Sequence, residues 1–174
     1  AFETAETNGI SHFLEHMVFK GTARRSALQI TEEIENAGGQ SNAYTSREFT
    51  AFYAKMLKND AELAVDVLTD ILLNPTFPMQ EIVKERDVVI QEIKQTIDTP
   101  DDIIFDYFQQ CAFPDQPIGR SILGPEDNVC RFDPDMLRGY LKNNYAAENM
   151  VMCAVGNIEH ADFVRMAESR MGGL

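Results

Sequence analysis

His12-Phe13-Leu14-Glu15-His16, set between Gly9 and the run Met17-Val18-Phe19-Lys20-Gly21-Thr22, is the stretch around which this chain is organised. On a helix the two histidines, four residues apart, share a face and Glu15 projects beside them. Two neutral imidazoles bind Zn²⁺ at about 2.0–2.1 Å, and a neighbouring carboxylate outside the ligand set can take a proton from water at the metal. Read by itself, the pattern serves equally well as a packed or solvated histidine pair. What decides between these readings lies further along the chain.

The bulk composition sets the frame. A chain of 174 residues suits one domain, since about 70% of the unfolded surface is buried at this size. No run of about 18 apolar residues could span a membrane, and no basic segment leads into an apolar one as in a signal peptide. The formal charge of −13 argues against nucleic-acid binding, which needs clustered Lys and Arg, and fits a basic partner as well as simple solubility. Cys111, Cys130 and Cys153 are too widely spaced for a Cys-x-x-Cys site, and their odd number argues against a disulfide framework. They read as reduced core residues in a reducing compartment.

Outward from the histidines, Asn8-Gly9 marks a turn before their helix. Ser26 with Gln29 three residues on predicts a capped helix carrying Leu28, Ile30 and Ile34, ended by Gly38-Gly39. Asn42–Thr45 and Phe49–Ala54 are rich in aromatic and β-branched residues and predict two strands joined through Ser46-Arg47-Glu48. Asp60 is the expected cap of a helix with Leu63, Val67, Leu68, Ile71 and Leu72 on one stripe, stopped by Asn74-Pro75. A long helix is predicted from Pro78 to about Asp98. At 100° per residue, Glu81, Glu85 and Glu92 fall within about 40° of one another, beside Ile82, Val89, Ile90 and Ile93. Carboxylates bordering a buried face are costly unless paired or metal-bound, so this stripe is either a ligand source or an acidic face balanced by Lys84, Arg86 and Lys94. Pro100 opens another helix with Asp102 and Asp106 on one face, and Phe113–Val129 reads as loop. Asp133-Pro134 starts a helix to about Asn144, Asn149–Val155 is an expected strand, and a last helix runs from about Glu159 to Arg170 with His160 as a surface or capping residue.

Asn8 through Met17, continued by Lys20-Gly21-Thr22, resembles the active-site helix of the pitrilysin/insulinase metallopeptidases, the inverzincins. In that family the third zinc ligand is a glutamate 76 residues after the second histidine, which here is Glu92, and another glutamate stands seven residues earlier, here Glu85. Gly38 through Glu48 is similar to the family's substrate-edge strand, and Asp115-Gln116-Pro117-Ile118-Gly119-Arg120-Ser121-Ile122-Leu123-Gly124-Pro125 is similar to its processing-peptidase branch. The resemblance implies an α+β fold, with a mixed, largely antiparallel sheet packed against several helices. It implies residues 1–174 as an N-terminal catalytic domain, N-terminally incomplete and a fragment of a longer chain. His12, His16 and Glu92 would hold Zn²⁺, with Glu15 as general base and Glu85 orienting a ligand. Peptide would add as a strand along Asn42, Ala43, Tyr44 and Thr45, and Asp102 and Asp106, ten and fourteen residues after Glu92, would receive a basic side chain. A homologous second half-domain or partner subunit would close the site. The implied setting is bacterial cytoplasm, or the mitochondrial matrix for a eukaryotic source. The rival is a non-catalytic structural or peptide-binding subunit, against which the intact His12, Glu15, His16 and Glu92 argue.

Overall fold

Local signals account for most of the elements. A computed structural model describes residues Ala1–Leu174. Its elements are α1 (Ile10–Val18), α2 (Ala27–Asn36), β1 (Gln40–Thr45), β2 (Thr50–Lys55), α3 (Ala61–Leu73), α4 (Met79–Asp98), α5 (Pro100–Ala112), α6 (Glu126–Val129), α7 (Pro134–Asn144) and α8 (His160–Met171), with short 3-10 turns between some of them. The class is α+β, helix-dominated, with β1 and β2 forming one antiparallel hairpin. Burial alternates strictly along β1, the period-2 signature of a half-covered strand. By packing, the chain falls into two compact units.

The first unit comprises residues 1–17, 44–51 and 77–137. Its core is built from Ile10, Phe13, Leu14 and Met17 of α1, Ile82, Val89 and Ile93 of α4, and Phe77, Val129, Phe132 and Leu137. The rings of Phe13 and Phe132 lie 5.4 Å apart in a tilted arrangement. With its apolar side committed to this core, α1 turns its histidine-bearing face the other way. The start of α1 is fixed by Glu3, whose carboxylate accepts from the backbone N–H groups of Gly9 at 2.9 Å and Ser11 at 2.7 Å. A carboxylate suits the positive end of a helix and satisfies donors that the helix itself leaves open. Gly9, at φ +96°, meets the backbone of Leu123 and Gly124, so that a Cβ on Gly9 would lie 2.5 Å from the Leu123 carbonyl oxygen. One on Gly124, at φ +71°, would collide with the carbonyl of Asn8. Pro78 stands at the N-cap of α4 and Pro100 in the first turn of α5, positions where a missing N–H costs nothing.

The second unit comprises residues 18–43, 52–76 and 138–174. Here α2 carries the complete capping box, with Ser26 Oγ accepting from Gln29 N–H and Gln29 Oε1 accepting from Ser26 N–H. Ile30 and Ile34 of α2 and Val65, Val67 and Ile71 of α3 are buried, and α8 packs on α3. A network of buried charges joins these elements. Arg25 donates to Glu33 at 2.9 Å, to Asp66 at 2.5 Å and to Asp70 at 2.8 Å, while Arg24 and Arg170 also pair with Asp66. Thr22 and Asn74 donate to the remaining lone pairs of Asp70.

Four expectations are corrected. Residues 150–155 form no strand, with Val151 89% and Val155 fully exposed. Their apolar, β-branched composition favours extension, but a strand exists only through ladder bonds to a neighbour, and the sheet here is β1 with β2 alone. All three cysteines are exposed rather than in the core. Asp60 ends a 3-10 turn before α3 and makes no side-chain cap bond. The region 113–129, expected as loop, contains the 3-10 turn Pro117–Gly119 and the short α6.

Candidate metal centre

Helical spacing on α1 puts His12 and His16 on one face, their rings 4.6 Å apart and edge-to-face. Helix α4 brings two carboxylates to them. His12 Nε2 and His16 Nε2 are 3.2 Å apart, and Glu92 Oε2 stands 3.5 Å from the first and 3.7 Å from the second. Ligand atoms at about 2.0–2.1 Å from a tetrahedral zinc are separated by about 3.3–3.4 Å, so these three edges fit a single ion. Glu92 Oε2 is buried with no hydrogen-bond partner, an acceptor left for a cation. The set of two imidazoles and one carboxylate is itself a catalytic-zinc donor set.

The remaining geometry selects the tautomer of His16. Glu85, only 5% exposed, accepts a hydrogen bond of 2.9 Å from His16 Nδ1. An ionised carboxylate only accepts, so the proton resides on Nδ1 and the Nε2 lone pair faces the cluster. Burial alone would lower the His16 pKa, but the Glu85 hydrogen bond and the charges of Glu92, Glu85 and Glu15 outweigh it and raise the value. His12 has no such partner: burial, helped by the charge of His16, pulls its pKa down to about 4, which keeps its ring neutral. Burial also raises the pKa of Glu92, with the charge of His16 opposing. The third carboxylate of the expected stripe does not take part, since Glu81 is paired with Lys84 at 2.6 Å.

A cavity of about 330 Å³ lies beside the cluster, walled by His12, Glu15, Tyr44, Thr45, Thr96, Asp106 and the loop Ser121–Leu123. Among the expected substrate contacts, Tyr44, Thr45 and Asp106 thus share this cavity with His12 and Glu15. Asn42, Ala43 and Asp102 are not among its walls, and Asp102 is exposed on α5. Asp106 is already partnered: Arg47 Nη2 donates to its carboxylate at 2.6 Å, and Arg47 Nη1 donates to the carbonyls of Ile118 and Arg120. Arg47, Thr50 and Thr96 were not expected at the site, nor was the 121–123 loop, although Ser121-Ile122-Leu123 falls in the stretch that resembles the processing-peptidase branch. Arg47 is visible there only as a turn residue, because its partner lies 59 positions away.

Residues 1–126 match the family described as Insulinase (Peptidase family M16), and residues 131–174 match the Peptidase M16 inactive domain. The chain is 43% identical over 172 residues to the mitochondrial-processing peptidase subunit beta of Lentinula edodes, covering 99% of this chain and 37% of that protein. It is 44% identical over 170 residues to the uncharacterized zinc protease YmxG of Bacillus subtilis, covering 98% of this chain and 41% of that one. The chain therefore spans well under half of the length of these relatives. In fold it is similar to a protease from Helicobacter pylori, with a TM-score of 0.92 at 22% identity over 99% of this chain and 42% of the other. On the match across residues 1–126, the chain belongs to the insulinase family of peptidases, M16.

Proposed function

We propose that this chain is the catalytic domain of a zinc endopeptidase that hydrolyses peptides bound as an added strand, with a preference for a basic residue near the scissile bond. The observation that carries the reading is the convergence of His12 Nε2, His16 Nε2 and Glu92 Oε2, with Glu15 on the same cavity wall as His12. His12, His16 and Glu92 would hold the ion. When bound, zinc supplies Lewis acidity, polarising a carbonyl and bringing the pKa of water to about 7.

The chain's own groups do the rest. Glu15 takes a proton from the attacking water and passes it to the leaving amine, the work of a general base that becomes a general acid. Glu85 keeps the proton of His16 on Nδ1 and the ring in one orientation. Peptide main chain pairs along Asn42, Ala43, Tyr44 and Thr45, where backbone bonds give affinity with little sequence demand. Asp102 and Asp106 supply the negative wall for a basic side chain. Of the two, Asp102 is the uncompensated charge and Asp106 shares its charge with Arg47. A homologous second half or partner subunit completes the cleft, in keeping with the relative named a subunit beta. The chain works in bacterial cytoplasm, or in the mitochondrial matrix if its source is eukaryotic, and no helix is long and apolar enough to cross a membrane.

Zinc analysis combined with cleavage of a basic fluorogenic peptide tests this reading. Stoichiometric zinc in both the native protein and Glu15→Gln, with hydrolysis lost only in the variant, is the expected result. A native protein that retains no zinc overturns it.

A further inference from the structure

The structure assigns a positioning role to Thr45: its hydroxyl, backed by that of Thr50, holds the Glu15 carboxylate, so that the strand expected to receive peptide also aims the base. This rests on the proposed role of Glu15. Thr45 Oγ1 donates to Glu15 Oε2 at 2.5 Å across 30 positions of sequence, and Thr45 Oγ1 lies 3.2 Å from Thr50 Oγ1. A hydroxyl has one proton and two acceptor lone pairs. The proton of Thr45 is committed to the carboxylate, which can only accept, so in the pair with Thr50 it is Thr50 that donates. The direction of the chain is therefore fixed as Thr50 to Thr45 to Glu15.

Glu15 has several side-chain torsions, and a base that swings by an ångström loses its reach to the proton it must take. A short charge-assisted bond to one carboxylate oxygen restrains those torsions and leaves lone pairs on the other for chemistry. The anchor is well placed: Thr45 is a half-buried residue of β1, on the cavity wall that it shares with Glu15. Peptide pairing along β1 uses main-chain groups, whereas the bond to Glu15 uses the side chain. Loss of the hydroxyl should therefore appear in turnover and not in binding.

The test compares Thr45→Val, Thr45→Ser and Thr50→Val with the native protein and Glu15→Gln, measuring zinc content, kcat and KM on the basic fluorogenic peptide. Valine keeps the β-branched shape that suits a strand and removes only the hydroxyl. Thr45→Val is expected to lower kcat about 10–100-fold, by analogy with removal of a partner that orients a metal ligand, with KM and zinc unchanged. Thr45→Ser should restore most of the rate, and Thr50→Val should lose less than Thr45→Val. A second measurement needs no turnover: crystal structures of native protein and Thr45→Val should show the Glu15 carboxylate displaced in the variant. The proposal is overturned if Thr45→Val keeps its kcat, if the loss lies in KM, if serine does not rescue, or if Glu15 stays in place. Should the native protein hydrolyse nothing and Glu15→Gln change nothing, the peptidase reading fails, and the crystallographic comparison still decides whether Thr45 holds Glu15.

Discussion

The two units treat buried charge in opposite ways. In the second, Asp66 and Asp70 are surrounded by Arg24, Arg25, Thr22 and Asn74, and each carboxylate meets several donors. In the first, Glu92 Oε2 is buried with no hydrogen-bond partner, although titratable groups crowd around it. A folded chain keeps a buried polar group unsatisfied only where something else repays the desolvation. The charges of the second unit complete one another, whereas in the first Glu92 Oε2 is left open, as the proposed metal site requires.

Removing a partner from each centre should break this contrast most sharply. Arg25→Met leaves Asp66 and Asp70 buried with less compensation, and should destabilise the fold by about 3–5 kcal/mol in urea unfolding, as when one partner of a buried ion pair is deleted. In the first unit Glu85→Gln removes the carboxylate that orients His16, and zinc titration should show a 10–100-fold loss of affinity, roughly 1.4–2.8 kcal/mol, with unfolding of the metal-free protein much less affected. Acid should act on the second unit. Burial raises the pKa of Asp66 and Asp70, but the hydrogen bonds from Arg24 and Arg25 to the former, and from Thr22, Arg25 and Asn74 to the latter, outweigh it and lower both below 3.8. A depressed carboxylate pKa contributes stability above the unfolded value that is lost as pH falls through the folded one. Protection of α3 amides should therefore drop below about pH 4, and the drop should shrink in Asp70→Asn, with Asp66 supplying what remains. The smallest effect is expected for Glu92→Gln in metal-free protein, where no good partner is lost and stability should change by about 0.5 kcal/mol or less. A large destabilisation there would mean that Glu92 is a structural group.

What was legible in the sequence follows the range of the interactions. The Ser26–Gln29 box, Pro78 and Pro100 at helix starts and the aromatic, β-branched strands act over a few residues, so residue order alone reveals them. Helical period marked Glu81, Glu85 and Glu92 as one stripe and a candidate ligand source, but the meeting of Glu85 and Glu92 with the histidines spans 69 and more positions and was expected only through family resemblance. Three further contacts escaped: Thr45 with Glu15, Arg47 with Asp106, and Glu3 at the start of α1. Each joins segments whose order along the chain carries no periodic trace of their meeting. Asn149–Val155 failed for the converse reason, since composition reports a tendency to extend and cannot supply the neighbour that a strand needs.

The facing glycines at 9 and 124 have a consequence for how this protein can vary. Each backbone occupies the space where the other's side chain would be. Gly9→Ala forces the two segments apart, and once they have moved, Gly124→Ala meets a gap instead of a carbonyl. Only the penalty for a positive φ is then incurred twice. The double variant should be damaged by less than the sum of the singles, a coupling a double-mutant cycle would measure. A change at one of these two positions should thus lower the added cost of a change at the other, without making the pair cheaper than a single change.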